Sequence, residues 1–544
     1  MSIFKYRGLF VFLFSLSIAF FFASGHIGGD ARFIYFTAES IYTDGNLDIG
    51  DSISQKQIGP LTESFNEVVR YAQERAAAGE KVYSKYDLGS TLIGILFYGA
   101  GLLITALMPF LPKDYVLVFV FSLSNAIIVS LCAFYFYKIA SLFLLNERIS
   151  ALIAVGFVFG TMLFPYGEKS GFGEPLACFV ILMGLYYLLR YNIQKKAYLA
   201  SLTGLLNGMV FITKPYAALL LAGFIGFLIL AMYSDKEIPA RQKVCHLFLY
   251  GCFFCIPIIL FLIFNYARFG SILNTGYETG YFSSYSVYVS LYNMIFTLYE
   301  QLFSPGKGLF LYNPIIIVAV SGILPMYRRD KKLFVLYFGA VLPFVLFFAA
   351  SEYWIGGISW GPRYLLPALG IFVLPVLFRL KEDIPFSIKN KTFRFIAAVI
   401  IAGIFIQLPA VLMNYSSFEK FFEKEEQETI YTRINFPAYS PILFGYYCMY
   451  SGIKRVITGK SAEFMLQYTD QQKIAEITAE NPEVKNLTVR AVIFKSLDGY
   501  DWFDIWIVHL FKLMRIQYIV QTIAVLVIIL LSISAVYCGK KILS

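Results

Sequence analysis

The sequence predicts an all-α, multi-pass membrane protein, and three observations carry this prediction. Of the 544 residues, 58% are hydrophobic and only 15% are charged, whereas soluble domains carry about 25% charged residues. Apolar runs long enough to cross a hydrocarbon core of about 30 Å recur along the chain. These runs lack the two-residue alternation of transmembrane strands, which argues against an outer-membrane barrel.

Each apolar run is a candidate membrane helix. The runs cover residues 8–24, 90–111, 115–137, 149–166, 172–189, 197–213, 215–233, 245–266, 309–326, 332–350, 364–379, 393–413 and 517–537. The first run resembles the core of a signal peptide, but no A-x-A-like cleavage site follows it and many further runs do. We therefore interpret it as a retained signal anchor.

The placement of Lys and Arg indicates the topology. Cytoplasmic loops carry an excess of basic residues, and the short loops obey this rule if only one of the runs 90–111 and 115–137 crosses. We therefore predict about twelve crossings, with residues 90–111 dipping into the outer leaflet or lying along it. The alternative is a simple bundle of about 13 spans. The net charge of +10 reflects this topology and indicates no nucleic-acid partner.

This topology divides the chain into a membrane module and an outer segment. Residues 1–413 form the membrane module, with a first outside loop at 25–89 and a smaller one at 267–308. Residues 414–516 are too polar to span and are predicted to form a mixed extracytoplasmic domain, which a final membrane helix in 517–544 follows. The two halves lack the matched broken helices of a typical transporter.

Cysteine and histidine give little indication of a metal site. Most of the seven Cys lie inside apolar runs, where packing is the expected role, and Cys252 and Cys255 form a CxxC in mid-span. The three His, namely His26, His246 and His509, are far apart in the sequence. We therefore expect no His-rich metal site, assign no cofactor and leave a divalent metal open.

Five basic residues lie in short outside loops, where the charge rule predicts few Lys and Arg. They are Lys169, Lys214, Arg268, Lys307 and Arg363. The last four have Gly or Pro nearby, which let backbone approach a ligand closely or fix a turn. Taken singly, each cation is also typical of a side chain that reaches an anionic leaflet. Together on one face, they favour a phosphate or pyrophosphate headgroup.

Acidic residues are predicted on the same face. Asp30 follows two glycines just after the first apolar run and opens the long first loop. Glu174 begins a run, where a carboxylate is costly and tends to be functional. A carboxylate at a helix N-terminus, just before Pro175, also interacts favourably with the helix dipole. This alternative role for Glu174 stays open. Glu39 is expected on the exposed face of a surface helix, because neighbouring aromatic residues supply the apolar side.

Two tryptophans, Trp354 and Trp360, lie in one short outside loop. Tryptophan is enriched at both membrane–water interfaces, so the pair fits an ordinary aromatic belt. The same two rings fit a stacking platform for a sugar, and both readings stay open.

The motifs on this face occur in a definite order. After Asp30 they are Lys85-Tyr86-Asp87-Leu88-Gly89-Ser90, Glu174-Pro175-Leu176, Thr213-Lys214-Pro215, Asn265-Tyr266 with Arg268-Phe269-Gly270, Ser304-Pro305-Gly306-Lys307-Gly308, and Trp360-Gly361-Pro362-Arg363-Tyr364. In this order, over roughly residues 25–380, the chain resembles the GT-C glycosyltransferases. The resemblance is to the branch of protein O-mannosyltransferase-like and aminoarabinose-transferase-like bacterial proteins.

The resemblance implies a GT-C-like bundle of about 12 to 13 transmembrane helices in the inner membrane. It also implies transfer of one sugar from a polyprenyl-phosphate donor to a lipid, glycan or protein acceptor on the periplasmic or extracellular side. Asp30 matches the family's catalytic first-loop acid, although Ala31 follows where Glu is usual. Glu174 matches the second acidic position, Lys214 stands where relatives commonly have Arg, and Arg363 matches an Arg near the donor phosphate.

The residues fit this chemistry in their own right. Displacing a lipid phosphate with inversion needs a base for the acceptor hydroxyl and positive charge on the leaving phosphate. We predict that the catalytic residues are the carboxylates Asp30, which acts as the base, and Glu174. We assign binding of the donor phosphate to Lys214, Arg268, Lys307 and Arg363. The other predicted substrate-binding residues are Tyr86, Asp87, Tyr277, Glu278, Trp354 and Trp360.

Three other functions compete with this one. They are a transporter or flippase of lipid-linked saccharides, an assembly or anchoring protein, and a polymerase or ligase of surface polysaccharide. The charged residues lie at the outer ends of the runs, whereas a transporter predicts them within its spans. On the transferase reading, the partners are the lipid-linked donor, the acceptor and membrane lipids.

Overall fold

The structure, a computed structural model, describes most of the membrane module and parts of the carboxyl-terminal region. The described residues are 6–50, 52, 74–75, 78–144, 146–169, 173–236, 238–276, 294–351, 354–357, 359–380, 390–414, 434–435, 437, 440–460, 463–467, 492–496, 502–513 and 518–543. Of these, residues 29–30, 463–467, 492–496, 512–513 and 518–519 are described by their backbone alone.

Helices dominate the described residues. The α-helices are α1 (Arg7–Phe22), α2 (Gly29–Thr43), α3 (Leu88–Leu107), α4 (Lys113–Ser122), α5 (Ser124–Phe143), α6 (Glu147–Phe159), α7 (Leu163–Glu168), α8 (Glu174–Gln194), α9 (Ala197–Thr213), α10 (Leu221–Tyr233), α11 (Ala240–Phe269), α12 (Met294–Phe303), α13 (Leu309–Tyr312), α14 (Ile315–Arg329), α15 (Lys331–Ala349), α16 (Leu369–Val373), α17 (Val376–Leu380), α18 (Lys391–Leu412), α19 (Pro441–Thr458), α20 (Trp506–Leu513) and α21 (Tyr518–Leu543). The 3₁₀ helices Pro215–Leu220 and Arg363–Ala368 lead into α10 and α16. Strands β1 (Glu463–Gln467) and β2 (Val492–Ser496) pair antiparallel, with Glu463 opposite Ser496.

These helices are those of a multi-pass membrane protein, in agreement with the prediction. By length and composition, nine helical segments of the described chain can cross a membrane: Leu88–Leu107, Lys113–Phe143, Glu174–Gln194, Pro215–Tyr233, Ala240–Phe269, Lys331–Ala349, Arg363–Leu380, Lys391–Leu412 and Val520–Leu543. Helices α1 and α9 are shorter apolar helices. A helix of 20 residues is about 30 Å long, which matches the hydrocarbon core.

Helix α3 begins and ends at the same end of the bundle. Its first turn lies against the carboxyl end of α9, where a Cβ on Gly89 would come within 2.7 Å of the Ile212 carbonyl oxygen. Just past its last turn, Leu111 packs with Ala23 and Trp506 beside the carboxyl end of α1. The two ends of α3 therefore lie beside the carboxyl ends of α9 and α1.

The carboxyl ends of α1 and α9 lie on one side of the molecule. The Ser24 amide, just past α1, donates to the Glu168 carbonyl oxygen at 3.1 Å. Glu168 closely precedes Glu174, whose side chain contacts Lys214 just past α9. Both ends of α3 thus lie on this side of the molecule, and the prediction that residues 90–111 dip into the outer leaflet or lie along it stays a prediction.

The opposite end of the bundle carries its own ion pairs. Arg7 lies 3.2 Å from Glu147, and Lys195 lies 3.5 Å from Asp235. All four residues belong to loops that the charge rule assigns to the inside. Contacts thus join residues that the predicted topology puts on one side.

Helix α2 in the first loop is buried rather than surface-exposed. Ile34 and Tyr35 belong to an apolar cluster with Tyr98 and Leu117 of the neighbouring helices. The expectation that Glu39 faces solvent is wrong, because Glu39 is 8% exposed and the Tyr98 hydroxyl donates to its Oε1 at 3.3 Å. Helix α3 covers the face of α2 that an isolated surface helix would leave in water.

Small residues let α9 and α11 approach closely. A Cβ on Gly204 would overlap the Tyr250 carbonyl group, and one on Gly208 would overlap that of Phe254. Gly204 and Gly208 have the small-xxx-small spacing that permits close contact between membrane helices. This contact matters for the site below, because α9 ends next to Lys214 and α11 ends near Arg268.

The segment before the last helix is tied to the membrane module. The Asp504 amide donates to the Leu412 carbonyl oxygen at 2.7 Å, and the Trp506 amide donates to that of Ala23 at 2.7 Å. Helix α21 then packs along α1. Residues 502–513 are therefore fixed against the ends of α1 and α18, close to the entry of α2.

Candidate active site

Glu174, the first residue of α8, is the centre of a group of polar side chains. It is 1% exposed. Its Oε1 lies 3.7 Å from Nζ of Lys214 and 3.7 Å from Nε of Arg363, and the Tyr216 hydroxyl contacts the same oxygen at 3.4 Å. We call Glu174, Lys214, Tyr216 and Arg363 the Glu174 cluster. It unites three of the predicted site residues, which lie far apart in sequence.

The contacts within the Glu174 cluster are long. Hydrogen bonds between a cationic nitrogen and a carboxylate usually measure about 2.7–2.9 Å. The second oxygen, Oε2 of Glu174, is buried without a hydrogen-bond partner among the described residues. Leaving a buried charged acceptor unsatisfied costs about 1–3 kcal/mol or more. Oε2 of Glu174 is therefore an acceptor that no described residue satisfies.

Lys214 stands where a membrane segment breaks. A residue before proline is pushed out of the helical region, and Lys214, which precedes Pro215, has φ −153° and ψ 98°. Its side chain passes Gly173, where a Cβ would come within 2.9 Å of Lys214 Cε. The Lys-Pro motif and the glycine before Glu174 thus both serve to bring the ammonium to the carboxylate.

Arg363 follows a turn that requires glycine. Gly361 has φ +64°, in the left-handed region that favours glycine. Pro362 follows, and Arg363 then begins its 3₁₀ helix. Gly356 has φ +74° and lies close by, where a Cβ would be 3.5 Å from Nε of Arg363. The Gly and Pro residues of this motif therefore set the position of Arg363.

Asp87, which precedes α3, belongs electrostatically to the same site. Burial raises the pKa of the Asp87 carboxyl to about 6, while Lys214 and Arg268 oppose the rise and Glu174 adds to it. The Asp87 side chain is half-buried at this end of the bundle. Two acids, Asp87 and Glu174, thus share one set of cations.

Arg268, near the end of α11, holds the loop that carries Asp87. Its Nη1 donates to the carbonyl oxygens of Ser84 and, at 3.0 Å, of Tyr86. Its Nη2 donates to Oδ1 of Asn265 at 2.9 Å. Because these bonds use much of the guanidinium, Arg268 fixes the loop and also contributes positive charge to the site.

Lys307, predicted to bind phosphate, contacts a loop of the protein. Its Nζ donates to the carbonyl oxygen of Gly357 at 3.1 Å and to the carbonyl oxygen and Oγ of Ser359 at 2.6 and 2.9 Å. A lysine ammonium has three donors, and these three acceptors use them. The loop leads directly to Arg363, so Lys307 acts on the site through the position of that loop.

The predicted aromatic contacts with substrate are mostly internal. Trp360 is 1% exposed, and its Nε1 donates to Oε1 of Gln407 at 2.8 Å. Trp354 is 4% exposed and Tyr86 is 6% exposed. These rings pack in the core, so neither an exposed sugar platform nor a membrane-facing belt describes Trp360.

Three predicted residues cannot be placed by their side chains. Asp30 is the second residue of α2, and only its backbone belongs to the described structure. Tyr277 and Glu278 lie outside the described residues. The predicted roles of these three residues stay predictions.

Comparison with protein-family models, curated proteins and solved structures gives no match for this chain. The GT-C resemblance therefore stays a prediction from the order of the motifs.

Two features of this end of the bundle were missed in the sequence. Tyr216 contacts Glu174, and its position just after the Lys-Pro break was the available signal. The three histidines are far apart in the sequence, but the rings of His26 and His509 lie 5.2 Å apart in the structure. No pattern within a single sequence connects two residues so widely separated in the chain.

Proposed function

We propose that this protein is a membrane glycosyltransferase that moves one sugar from a polyprenyl-phosphate donor to an acceptor hydroxyl of a lipid, glycan or protein. The observation that carries the proposal is the Glu174 cluster. It holds a buried carboxylate with one unpartnered oxygen between cations that approach to 3.7 Å without closing. Such a site is preorganised for a ligand with both hydroxyl donors and negative charge.

The charge of the site supports a phosphate-bearing donor. Lys214, Arg268 and Arg363 supply three positive charges, and Glu174 and Asp87 supply at most two negative ones. Because the pKa of Asp87 is about 6, its carboxyl is neutral in part of the molecules near this pH. The net charge of the site is then more positive. The site also lies at the ends of membrane helices, where a donor can keep its lipid chain in the bilayer and present its head group.

The proposed reaction is an inverting substitution at the anomeric carbon. The bond between this carbon and the donor phosphate oxygen breaks, and both electrons leave with the polyprenyl phosphate. The bond to the acceptor oxygen forms from the opposite face, and the acceptor proton passes to a carboxylate. Lys214 and Arg363 stabilise the charge that develops on the leaving phosphate.

The two predicted acids take different parts in this reaction. Asp30 is the proposed base, because it is the family-matching acid at the start of the first-loop helix. Glu174 orients Lys214 and Arg363 and offers Oε2 to a hydroxyl of the donor sugar or the acceptor. Asp87 adjusts the charge of the phosphate position.

The test is a transfer assay with full-length protein in lipid vesicles. A panel of polyprenyl-phosphate sugars is supplied with membrane extracts as acceptor, and released polyprenyl phosphate is measured by mass spectrometry. We expect release with the wild type and a loss of about 10² to 10⁴-fold with Asp30→Asn or Glu174→Gln. Glu147→Gln, which alters an ion pair at the opposite end of the bundle, is the matched control.

The same assay separates the competing functions. A flippase would move the intact lipid-linked sugar across the vesicle without releasing polyprenyl phosphate. A polymerase or ligase would release the carrier from an oligosaccharide donor but not from a monosaccharide one. Well-folded Asp30→Asn and Glu174→Gln proteins that match the wild-type rate would overturn the proposal.

A further inference from the structure

Two histidines and an aspartate from distant parts of the chain meet near the entry to α2. Nε2 of His26, just past α1, lies 2.8 Å from Oδ1 of Asp504. Nε2 of His509, on α20, lies 2.7 Å from the same oxygen. The two imidazole nitrogens and the carboxylate oxygen all lie within 4.8 Å of one another. We call His26, Asp504, His509 and the adjacent Lys169 the Asp504 cluster.

We propose that His26, Asp504 and His509 form a binding site for a divalent transition metal, with Zn²⁺ as the best-matched ion. Two imidazole nitrogens and one carboxylate oxygen are donors that such metals prefer. Three protein ligands leave a fourth position of a tetrahedral ion for water or another ligand.

A metal ion fits the cluster after a small movement of the two imidazoles. Zinc bonds of about 2.0–2.1 Å to nitrogen put tetrahedral ligand atoms about 3.4 Å apart, so each imidazole must withdraw from Oδ1 by about 0.6 Å. The side chains of His26 and His509 are 43% and 30% exposed, whereas that of Asp504 is 4% exposed. The carboxylate is therefore the fixed ligand, and the imidazoles are the adjustable ones on the accessible side.

A neighbouring residue orients the carboxylate. Nζ of Lys169 lies 2.9 Å from Oδ2 of Asp504 and donates to its carbonyl oxygen at 2.6 Å. A carboxylate offers about four lone-pair positions on two oxygens, so the ammonium on Oδ2 leaves Oδ1 for a metal. Partners of this kind hold metal ligands in place. The donor set of two imidazole nitrogens and one carboxylate disfavours Ca²⁺ and Mg²⁺, which need several oxygen ligands.

A metal at this position would join parts of the chain that the sequence separates. His26 lies between α1 and α2, and Asp504 and His509 precede the last helix. The ion would fix the carboxyl-terminal segment against the residues that lead into α2, whose second residue is Asp30. This proposal stands apart from the transferase assignment, because its ligands are not members of the Glu174 cluster.

The test is metal binding by the full-length protein in detergent, purified with a histidine-free affinity tag and stripped with a chelator. Zinc is titrated in competition with a chelating dye, and Co²⁺ absorption reports the coordination geometry. We expect one Zn²⁺ per chain, and a loss of affinity of at least about tenfold in His26→Gln and in His509→Gln. His246→Gln, which changes the remaining histidine, is the control and keeps wild-type affinity.

Thermal stability gives a second measurement that does not depend on the transferase reaction. Zinc should raise the unfolding temperature of the wild type, because a ligand that binds only the folded state stabilises it, and should not raise that of the two Gln variants. Glutamine can still hydrogen-bond to Asp504, which favours folded variants. Wild-type protein that binds no zinc, or binds it as tightly after either substitution, would overturn the proposal and leave the cluster as a hydrogen-bonded clasp.

Discussion

The Glu174 and Asp504 clusters lie at the same end of the bundle and each surround a buried carboxylate, but their contacts differ. Asp504 accepts contacts of 2.7 to 2.9 Å from His509, His26 and Lys169. Glu174 has longer contacts, of 3.4 to 3.7 Å. Among the described residues, neither Oε2 of Glu174 nor Oδ2 of Asp504 has a hydrogen bond, but Oδ2 of Asp504 has the Lys169 ammonium at 2.9 Å. One carboxylate is closely held by its neighbours, whereas the other is surrounded at a distance.

The difference indicates two kinds of role. Burial alone would raise the pKa of the Asp504 carboxyl, but Lys169 and the hydrogen bonds from the histidines hold the pKa well below its usual range. Asp504 is therefore ionised and engaged in joining chain segments. Glu174 is held by longer contacts, and the proposed transferase function accounts for its unsatisfied oxygen as a position for a ligand hydroxyl.

The largest expected effect is on transfer activity in Glu174→Gln. Glutamine keeps the size of the side chain but removes the charge that holds Lys214 and Arg363. We expect the rate of polyprenyl-phosphate release to fall by about 10² to 10⁴-fold. Because the contacts that are lost are long, the unfolding temperature should stay close to that of the wild type. Equal losses of activity in Glu174→Gln and the control Glu147→Gln would contradict this role.

For Asp504→Asn, in contrast to Glu174→Gln, we expect the main effect on stability. Removing one member of a closely paired buried group leaves the others uncompensated, which typically destabilises a protein by about 3–5 kcal/mol. The effect should appear as a lower unfolding temperature in detergent, measured beside Glu174→Gln under the same conditions. Should Asp504→Asn be as stable as the wild type, the contrast between the two clusters would be lost.

Lys214 and Lys307 test the same contrast between two cations. Lys214→Met should weaken binding of a polyprenyl-phosphate sugar by about 10 to 100-fold, because a charged hydrogen bond is worth about 1.5–3 kcal/mol. Lys307→Met should instead lower the unfolding temperature, because three acceptors of the loop that precedes Arg363 lose their donor. The measurements are donor affinity and unfolding temperature for both variants. If Lys307→Met weakened donor binding and Lys214→Met lowered the unfolding temperature, Lys307 would be assigned to the phosphate site instead.

The comparison also shows what the sequence could and could not predict. The apolar runs predicted the membrane helices, because hydrophobic length is a local property of the chain. Gly and Pro around Lys214 and Arg363 signalled the Glu174 cluster, because backbone breaks are local features. The Asp504 cluster has no such signal, since its histidines come from opposite ends of the chain and meet only through packing.

Burial explains the other differences from expectation. The predictions for Glu39, Trp360 and Lys307 depend on local sequence, which indicates what a residue can contact but not what packs over it. Helix α3 covers Glu39, and Gln407 of α18 reaches Trp360. Lys307 finds its acceptors in a loop some fifty residues away along the chain. All three partners are remote in sequence, so local patterns do not contain them.

Asp87 gives a pH test of the charge balance at the Glu174 cluster. Its pKa is about 6, so its carboxyl is neutral below this pH and negative above it. A phosphodiester donor does not itself titrate in this range, and its affinity should therefore fall several-fold as the pH rises from about 5 to about 7.5. In Asp87→Asn the affinity should stay constant over the same range. A pH dependence that survives this substitution would assign the titration to another group.

The smallest expected effect concerns Gly173, which decides how closely the Glu174 cluster is held. In Gly173→Ala the added Cβ would lie 2.9 Å from Lys214 Cε and 3.0 Å from Oγ of Ser90, so the flexible lysine must shift. We expect donor affinity to fall about threefold, or roughly 0.7 kcal/mol. Gly251→Ala, where a Cβ meets nothing within 4 Å, is the control and should bind like the wild type. Unchanged affinity in Gly173→Ala would mean that the ligand does not depend on the reach of Lys214, and the loose geometry of the cluster would lose its functional meaning.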